Sequence, residues 1–68
     1  MFEYGHLKCI ELSETEFAWY FITIQDENYI ETKLEDKDML KVLNKLGQDG
    51  WELAAIDELI GFILKRRI

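Results

Sequence analysis

The 68-residue chain contains no proline, a single cysteine and a single histidine. One cysteine excludes an internal disulfide, and Cys9 with His6 falls short of the four ligands that structural zinc sites normally use. No stretch approaches the roughly 20 apolar residues that span a bilayer. A chain this short buries only about 60% of its unfolded surface, so its stability must come from side-chain packing or from association with other subunits.

The composition also limits the compartment and the partners. The first residues lack the basic and then apolar regions of a signal peptide, and a lone cysteine is typical of a reducing compartment, so we expect a cytoplasmic protein. A net charge of −6 argues against direct binding of nucleic acid through its phosphates, and no membrane partner is expected. The charge is uneven, because residues 11–38 hold nine acids and two lysines whereas three bases cluster at Lys65, Arg66 and Arg67.

Two strands are expected in the first part of the chain. Residues 2–12 alternate moderately well between the two faces of a strand, and the polar residues 13–16 are short enough for a hairpin connection. Residues 17–25 are almost entirely β-branched or aromatic, which strongly favours a strand. Both of its faces are apolar: Phe17, Trp19 and Phe21 share one face, and Ala18, Tyr20, Ile22 and Ile24 share the other.

The middle of the chain predicts one helix. Residues 26–35 begin like a turn and then form either an extended arm or a short edge strand. The helix is expected to start near Asp36, whose carboxylate can accept from free backbone N–H groups. Its apolar stripe consists of Met39, Leu43 and Leu46, widened by Leu40 and Val42. Gly47 can adopt a positive φ and is expected to end the helix.

The last part predicts a second hairpin, with strands at residues 51–56 and 59–66 around an Asp57-Glu58 turn. The order β-β-α-β-β then predicts a single α+β domain over residues 1–68. We expect a four-stranded, mainly antiparallel sheet with one helix on one face. The other face would expose the second side of the strand at 17–25, and large exposed apolar patches usually mark interaction sites. We therefore predict self-association through this open face, unless the arm at 26–35 folds back over it.

No group of side chains predicts catalysis or metal binding. His6 and Cys9 lie three positions apart on a strand and so face opposite sides. The adjacent acids at 26–27, 35–36 and 57–58 suit turns or a helix start, and they define neither two opposed carboxylates nor a full set of oxygen ligands. The chain is therefore predicted to be non-enzymatic and to need no metal or cofactor.

The candidate binding residues are two aromatics and the basic end of the chain. Lys65, Arg66 and Arg67 could hold a phosphate or carboxylate, because guanidinium groups bind such anions through two hydrogen bonds. The alternative is a solvated terminus that protects a sheet edge. Five aromatics could stack on bases or rings: Tyr4, Trp19, Tyr20, Tyr29 and Trp51. Most aromatics in so small a core must serve packing, and Trp19 and Tyr20 are the two selected as binding residues.

One segment and the closing strand carry a family resemblance. The segment reads Leu43-Asn44-Lys45-Leu46-Gly47-Gln48-Asp49-Gly50-Trp51-Glu52-Leu53, and the closing strand ends Phe62-Ile63-Leu64-Lys65-Arg66. Together they resemble a family of very small bacterial and phage proteins known as a domain of unknown function, whose pattern includes an LGxxGWEL turn and a closing Lys-Arg. The resemblance covers residues 36–67 well and the first half in outline. It implies the β-β-α-β-β fold and a bacterial or phage setting, and it brings no catalytic residues.

Three functions remain open from the sequence. The first is a homo-oligomeric binding module, for example a phage-encoded antagonist that binds a host or defence protein. The second is a sequestering protein that holds an anionic nucleotide or cyclic dinucleotide between subunits, stacked on Trp19 or Tyr20 and bound by Arg66 and Arg67. The third is an acidic mimic of nucleic acid formed by the middle of the chain.

Overall fold

The computed structural model describes all 68 residues and consists of a five-stranded sheet and one helix. The elements are β1 (Phe2–Glu11), β2 (Phe17–Gln25), β3 (Asn28–Lys33), α1 (Met39–Gln48), β4 (Glu52–Asp57) and β5 (Gly61–Arg67). The strand order is β3-β2-β1-β5-β4, and every neighbouring pair is antiparallel. The predicted four-stranded β-β-α-β-β fold is therefore wrong, since the chain order is β-β-β-α-β-β. At ten residues, α1 is too short to cross a membrane.

The additional strand is β3, which pairs with β2 from Asn28 opposite Gln25 to Lys33 opposite Tyr20. The two strands are joined by a tight turn in which Asp26 and Glu27 adopt φ angles of 50° and 70°. Two successive positive φ values match the right-handed twist of a hairpin, but they are usually supplied by Asn and Gly. Residues 28–33 are thus an edge strand in the plane of the sheet, and they leave the open face uncovered.

The core lies between α1 and one face of the sheet, which we call the helix face. Seven buried side chains form it: Leu7, Trp19, Phe21, Val42, Leu46, Trp51 and Leu64. Because successive strand residues point to opposite faces, Trp19 and Phe21 enter this core while Tyr20 and Ile22 point to the open face. Both faces of β2 are apolar, and α1 covers one of them and leaves the other uncovered.

The start of α1 is capped by Asp38, two residues later than the expected Asp36. One carboxylate oxygen of Asp38 accepts from the backbone N–H of Leu40 at 2.9 Å. Val42 and Leu46, one turn apart, are the buried residues of the helix. Only part of the predicted apolar stripe therefore rests on the sheet, since Leu43 is half-buried and Met39 and Leu40 are exposed.

The helix continues through Gly47, which was expected to end it, and stops in a Schellman motif at Gly50. Gly50 has a φ of 91°. Its N–H donates to the carbonyl of Gly47 at 3.0 Å, and the N–H of Trp51 donates to the carbonyl of Leu46 at 3.1 Å. The motif brings Trp51 back towards Leu46, whose carbonyl accepts from its N–H, and both side chains join the core.

The closing hairpin is shifted slightly from its predicted bounds. Its turn is held by Asp57, whose Oδ1 accepts from the N–H groups of Leu59 and Ile60 at 2.8 and 3.2 Å. Gly61 follows with a φ of 102°. Between Leu53 and Ala55 the register with β5 shifts, which marks a β-bulge in β4. All six residues of β4 are exposed, so this edge of the sheet lies outside the core.

Candidate functional site

The open face is more basic than the chain as a whole. The register places four of the eight Lys and Arg residues on it: Lys8, Lys33, Lys65 and Arg67. Of the 14 acids it carries Glu31, Glu52 and Asp57. The face therefore has more basic than acidic side chains, although the total charge of the chain is −6.

Tyr20 lies at the centre of a row with a lysine on each side. It is directly opposite Lys8 of β1 and directly opposite Lys33 of β3. Directly opposed residues of antiparallel strands have Cβ atoms about 4.5–5.5 Å apart, so both ammonium groups can reach the neighbourhood of the phenol ring. An aromatic ring between two cations suits a ligand that joins a planar ring to an anionic group.

A second basic and aromatic group lies at the end of β5. Lys65 is opposite Tyr4, and its Nζ lies 4.7 Å from the ring centroid of Phe2. The guanidinium carbon of Arg67 lies 5.6 Å from the same centroid. Lys65 also lies 3.7 Å from a carboxylate oxygen of Glu52, a half-exposed pair. Lys65 and Arg67 thus belong to the open face, as Tyr20 does.

Between these two groups the open face is mainly apolar, with one carboxylate, Glu31, opposite Ile22. Ile22 and Ile63 flank His6 in one cross-strand row, and Ile24 pairs with Tyr29 in the next. Ile24 is 62% exposed and Tyr29 is exposed as well. These side chains line a shallow depression of about 340 Å³. The apolar centre between two basic ends forms the candidate site.

Arg66 points to the helix face, away from its two basic neighbours. Its Nη2 donates to Glu3 Oε1 at 2.9 Å, and its Nη1 donates to the carbonyl of Asp49 at 3.3 Å. The guanidinium also lies over the ring of Trp51. The alternation of side chains along β5 therefore places Lys65 and Arg67 on the open face and Arg66 on the helix face. The contacts of Arg66 are made within the protein.

Trp19 also lies on the helix face and is only 8% exposed. Its indole N–H donates to the carbonyl of Lys37 at 3.0 Å, and its ring centroid lies 6.1 Å from that of Phe62. Of the two aromatics selected as binding residues, Tyr20 therefore lies half-buried on the open face and Trp19 lies in the core.

His6 and Cys9 lie on opposite faces of β1. His6 is on the open face, where its Nε2 is in contact with the carbonyl oxygen of Ile60. Cys9 is exposed and directly opposite Trp19. The two side chains do not form a catalytic pair.

Sequence reasoning named Tyr4 only among the aromatics that could stack, and it did not single out Lys8 or Lys33. The shared parity of Tyr4 and Lys8 in β1 was a usable signal, since period-2 spacing alone places both on one face. Lys33 had no such signal, because its position beside Tyr20 depends on β3 being a strand in one particular register.

The chain matches no protein-family model, no curated protein and no solved structure. These results do not bear on the resemblance carried by the LGxxGWEL segment, which stays a prediction.

Proposed function

We propose that this protein is a non-enzymatic binding module that self-associates through the open face of its sheet. The observation that carries the proposal is that β2 is apolar on both sides while α1 covers only one. The covered side holds Trp19 and Phe21, and the uncovered side presents Tyr20, Ile22 and Ile24. Ile24 is exposed and Tyr20 and Ile22 are half-buried, and an apolar surface that no layer covers usually marks an interaction site.

The small size of the core supports the proposal. Only nine of the 68 residues are buried, so the monomer gains little of the burial that stabilises larger domains. Small chains without disulfides or structural metals often obtain the missing stability by oligomerisation. Bringing two open faces together would remove Ile22, Ile24 and Ile63 from water.

Gel filtration with light scattering tests the proposal. We expect a mass above the 8.1 kDa of one chain. Ile24→Lys should reduce it to that of a monomer, because it replaces exposed apolar surface with a charge on an already basic face. Ile56→Lys is the matched control, since Ile56 is 66% exposed but lies outside the open face. A wild-type chain that remains monomeric at high concentration would contradict the proposal.

A second candidate function is supported by the row formed by Lys8, Tyr20 and Lys33. In this version the ligand is an anionic nucleotide or cyclic dinucleotide held between two open faces, with its base on Tyr20. Joining two faces would bring their lysines together, and an anion between them would offset that repulsion. The positions of Trp19 and Arg66 on the helix face remove them from this version of the site.

A thermal-shift series tests the second candidate. A nucleotide that binds the folded protein should raise its melting temperature with increasing concentration, by mass action. Combining Lys8→Gln with Lys33→Gln should abolish the shift. The control combines Lys41→Gln with Lys45→Gln, two exposed lysines of α1, and should retain it. An equal shift in both variants would place the ligand elsewhere.

In the bacterial or phage setting that the resemblance implies, we propose a cytoplasmic role for this module as an antagonist of a host or defence protein. Its partner would then be a protein, or a nucleotide signal in the second version. The nucleotide series above separates these versions, because a protein antagonist should show no shift with any nucleotide.

A further inference from the structure

The sheet has two edges, and only one of them is regular along its whole length. At one edge, the bulge between Leu53 and Ala55 in β4 disturbs the row of backbone groups that a further strand would use. At the other edge, β3 pairs with β2 without a break over all six of its residues, and all six are exposed. The chain has no proline that could block this edge. The outer side of β3 can therefore accept a further strand.

Three residues of β3 turn their backbone groups outward from the sheet. The N–H of Leu34, the residue after β3, donates to the carbonyl of Trp19 at 2.8 Å and so points towards β2. Because these directions alternate along an antiparallel strand, every second residue before Leu34 also points towards β2. The residues between them point outward, and they are Tyr29, Glu31 and Lys33. Their N–H and carbonyl groups form a row without a partner strand.

Two copies of this edge match each other when they pair antiparallel about a twofold axis at Ile30. Ile30, which is 42% exposed, then lies opposite its own copy on the helix face. Asn28 lies opposite Thr32 beside it. On the open face Tyr29 lies opposite Glu31, and the outward backbone groups of these two residues meet as a hydrogen-bonded pair on each side of the axis. No like charges lie directly opposite each other in this register.

Other registers of the same two strands are less favourable. A shift of two residues sets Glu31 opposite either the same residue of the second copy or Glu27 of the second copy. Like charges directly opposite each other destabilise a strand pair. A shift of one residue sets outward-pointing backbone groups opposite inward-pointing ones, so the ladder cannot form. The residues of β3 thus select the register centred on Ile30.

An ion pair would extend this register beyond the ladder, because Lys33 comes to lie beside Glu27 of the second copy. Within the chain neither residue takes part in either ion pair of the protein. Glu27 also has a φ of 70° in the turn before β3, a conformation that glycine adopts more easily. A glutamate in this strained position, with no ion-pair partner of its own, supports a contact outside the chain.

We propose that the β3 edge pairs with the β3 edge of a second copy, antiparallel and centred on Ile30, so that two sheets join into one of ten strands. The axis is perpendicular to the sheet, so both open faces lie on the same side. The contact uses a different surface from the open face and does not depend on the proposed function. An edge of six residues is smaller than a stable interface of about 1,200–2,000 Å², so the contact is transient and does not by itself hold Ile24→Lys together during gel filtration.

Disulfide trapping tests a transient contact of this kind. Ile30→Cys in a Cys9→Ser background carries a single thiol, placed at the proposed axis. Opposed residues that do not share hydrogen bonds have Cα atoms about 4.5 Å apart, within the range of a disulfide. We therefore expect a cross-linked dimer on a non-reducing gel after mild oxidation. Asn28→Cys in the same background is the matched control and should give none at the same time, because its two copies lie four residues, or about 13 Å, apart along the strands.

Further changes in the trapping variant test the hydrogen bonds and the register. Glu31→Pro removes an outward N–H but no hydrogen bond to β2, and it should abolish the cross-link. Lys33→Glu sets two acids side by side and should reduce the cross-link, and adding Glu27→Lys should restore it. Thermal melts of these variants check that each one is folded.

Three results would overturn the proposal. They are equal cross-linking of Ile30→Cys and Asn28→Cys, a cross-link that survives Glu31→Pro, and a failure of Glu27→Lys to restore the cross-link that Lys33→Glu reduces. Absence of any cross-link in Ile30→Cys would rule out the second copy and leave the edge to a strand of a different protein. Adding Ile24→Lys should leave the cross-link unchanged, so the edge contact and the open-face contact can each fail without the other.

Discussion

The guanidinium of Arg66 lies over the indole of Trp51, with its central carbon 4.5 Å from the ring centroid. The same group donates to Glu3 Oε1 at 2.9 Å. On its other side Trp51 meets Phe21 edge to face, with ring centroids 4.9 Å apart. Arg66 thus connects the end of β5 to the start of β1 and to the turn that follows α1.

Replacing Arg66 by alanine should lower the free energy of unfolding by about 1–2 kcal/mol. The cation–π contact and the partly exposed ion pair with Glu3 each contribute up to about 1 kcal/mol. Urea denaturation of the purified variant measures the change. Arg67→Ala is the control and should change stability by less than about 0.5 kcal/mol, because Arg67 is exposed near the end of the chain. Equal losses in the two variants would show that the Trp51 contact contributes nothing specific.

Gly5→Ala should destabilise the protein by about 1–3 kcal/mol, the usual range for an overpacked core. A Cβ at Gly5 would lie 2.7 Å from Cε1 of Phe21, closer than carbon atoms approach in proteins. Phe21 cannot easily move away, because its ring packs against Trp51. Combining Gly5→Ala with Phe21→Leu should cost less than the sum of the two single changes. Additive costs in a double-mutant cycle would mean that the ring does not press on Gly5.

The two glycines of the LGxxG segment should respond to alanine in opposite directions. Gly47→Ala should stabilise by about 0.5–1 kcal/mol, because Gly47 is a helical residue with open space around it. Gly50→Ala should destabilise by about 1–2 kcal/mol, because its φ of 91° is strained for a residue with a Cβ. Thermal melts of the two variants check this. A lower melting temperature for Gly47→Ala would place the helix end at Gly47.

Trp51→Ala should cost about 3–5 kcal/mol, enough to unfold a marginally stable domain. Trp51 is buried, and its removal would leave a cavity beside Phe21 and Leu46. Near-ultraviolet circular dichroism and a urea titration measure the loss. Tyr29→Ala, at an exposed position of β3, should remain within about 0.5 kcal/mol of the wild type. An unshifted melt for Trp51→Ala would show that the ring is not part of the core.

The position of the helix end shows what a local sequence pattern can and cannot predict. The sequence pattern predicted that Gly47 ends the helix, although Gly50 qualifies equally well by residue type. The structure uses Gly50, because this choice lets the N–H of Trp51 reach the carbonyl of Leu46 while their side chains pack together. The choice therefore depends on the core into which Trp51 is placed.

The missed strand has a different cause. Residues 28–33 carry a weak strand pattern, and Glu27 is an unusual residue for a positive φ. β3 is stabilised by pairing with β2, whose apolar and β-branched residues offer a long edge for it. A local reading cannot weigh that pairing, so it left residues 26–35 as an arm or a strand.

The sequence by itself determined that β2 is apolar on both faces, that one helix carries a single apolar stripe, and that acids outnumber bases. These are properties of neighbouring residues. Only the tertiary structure decided that α1 covers Trp19 and leaves Tyr20 on the open face, since either face of β2 could have received the helix. The strand order likewise placed Lys8 and Lys33 on either side of Tyr20, and it left β4 beyond the reach of α1. Residues such as Lys8, Tyr20 and Lys33 come from separate parts of the chain. The free energy of bringing them together depends on strand pairing and side-chain packing that no local sequence pattern contains.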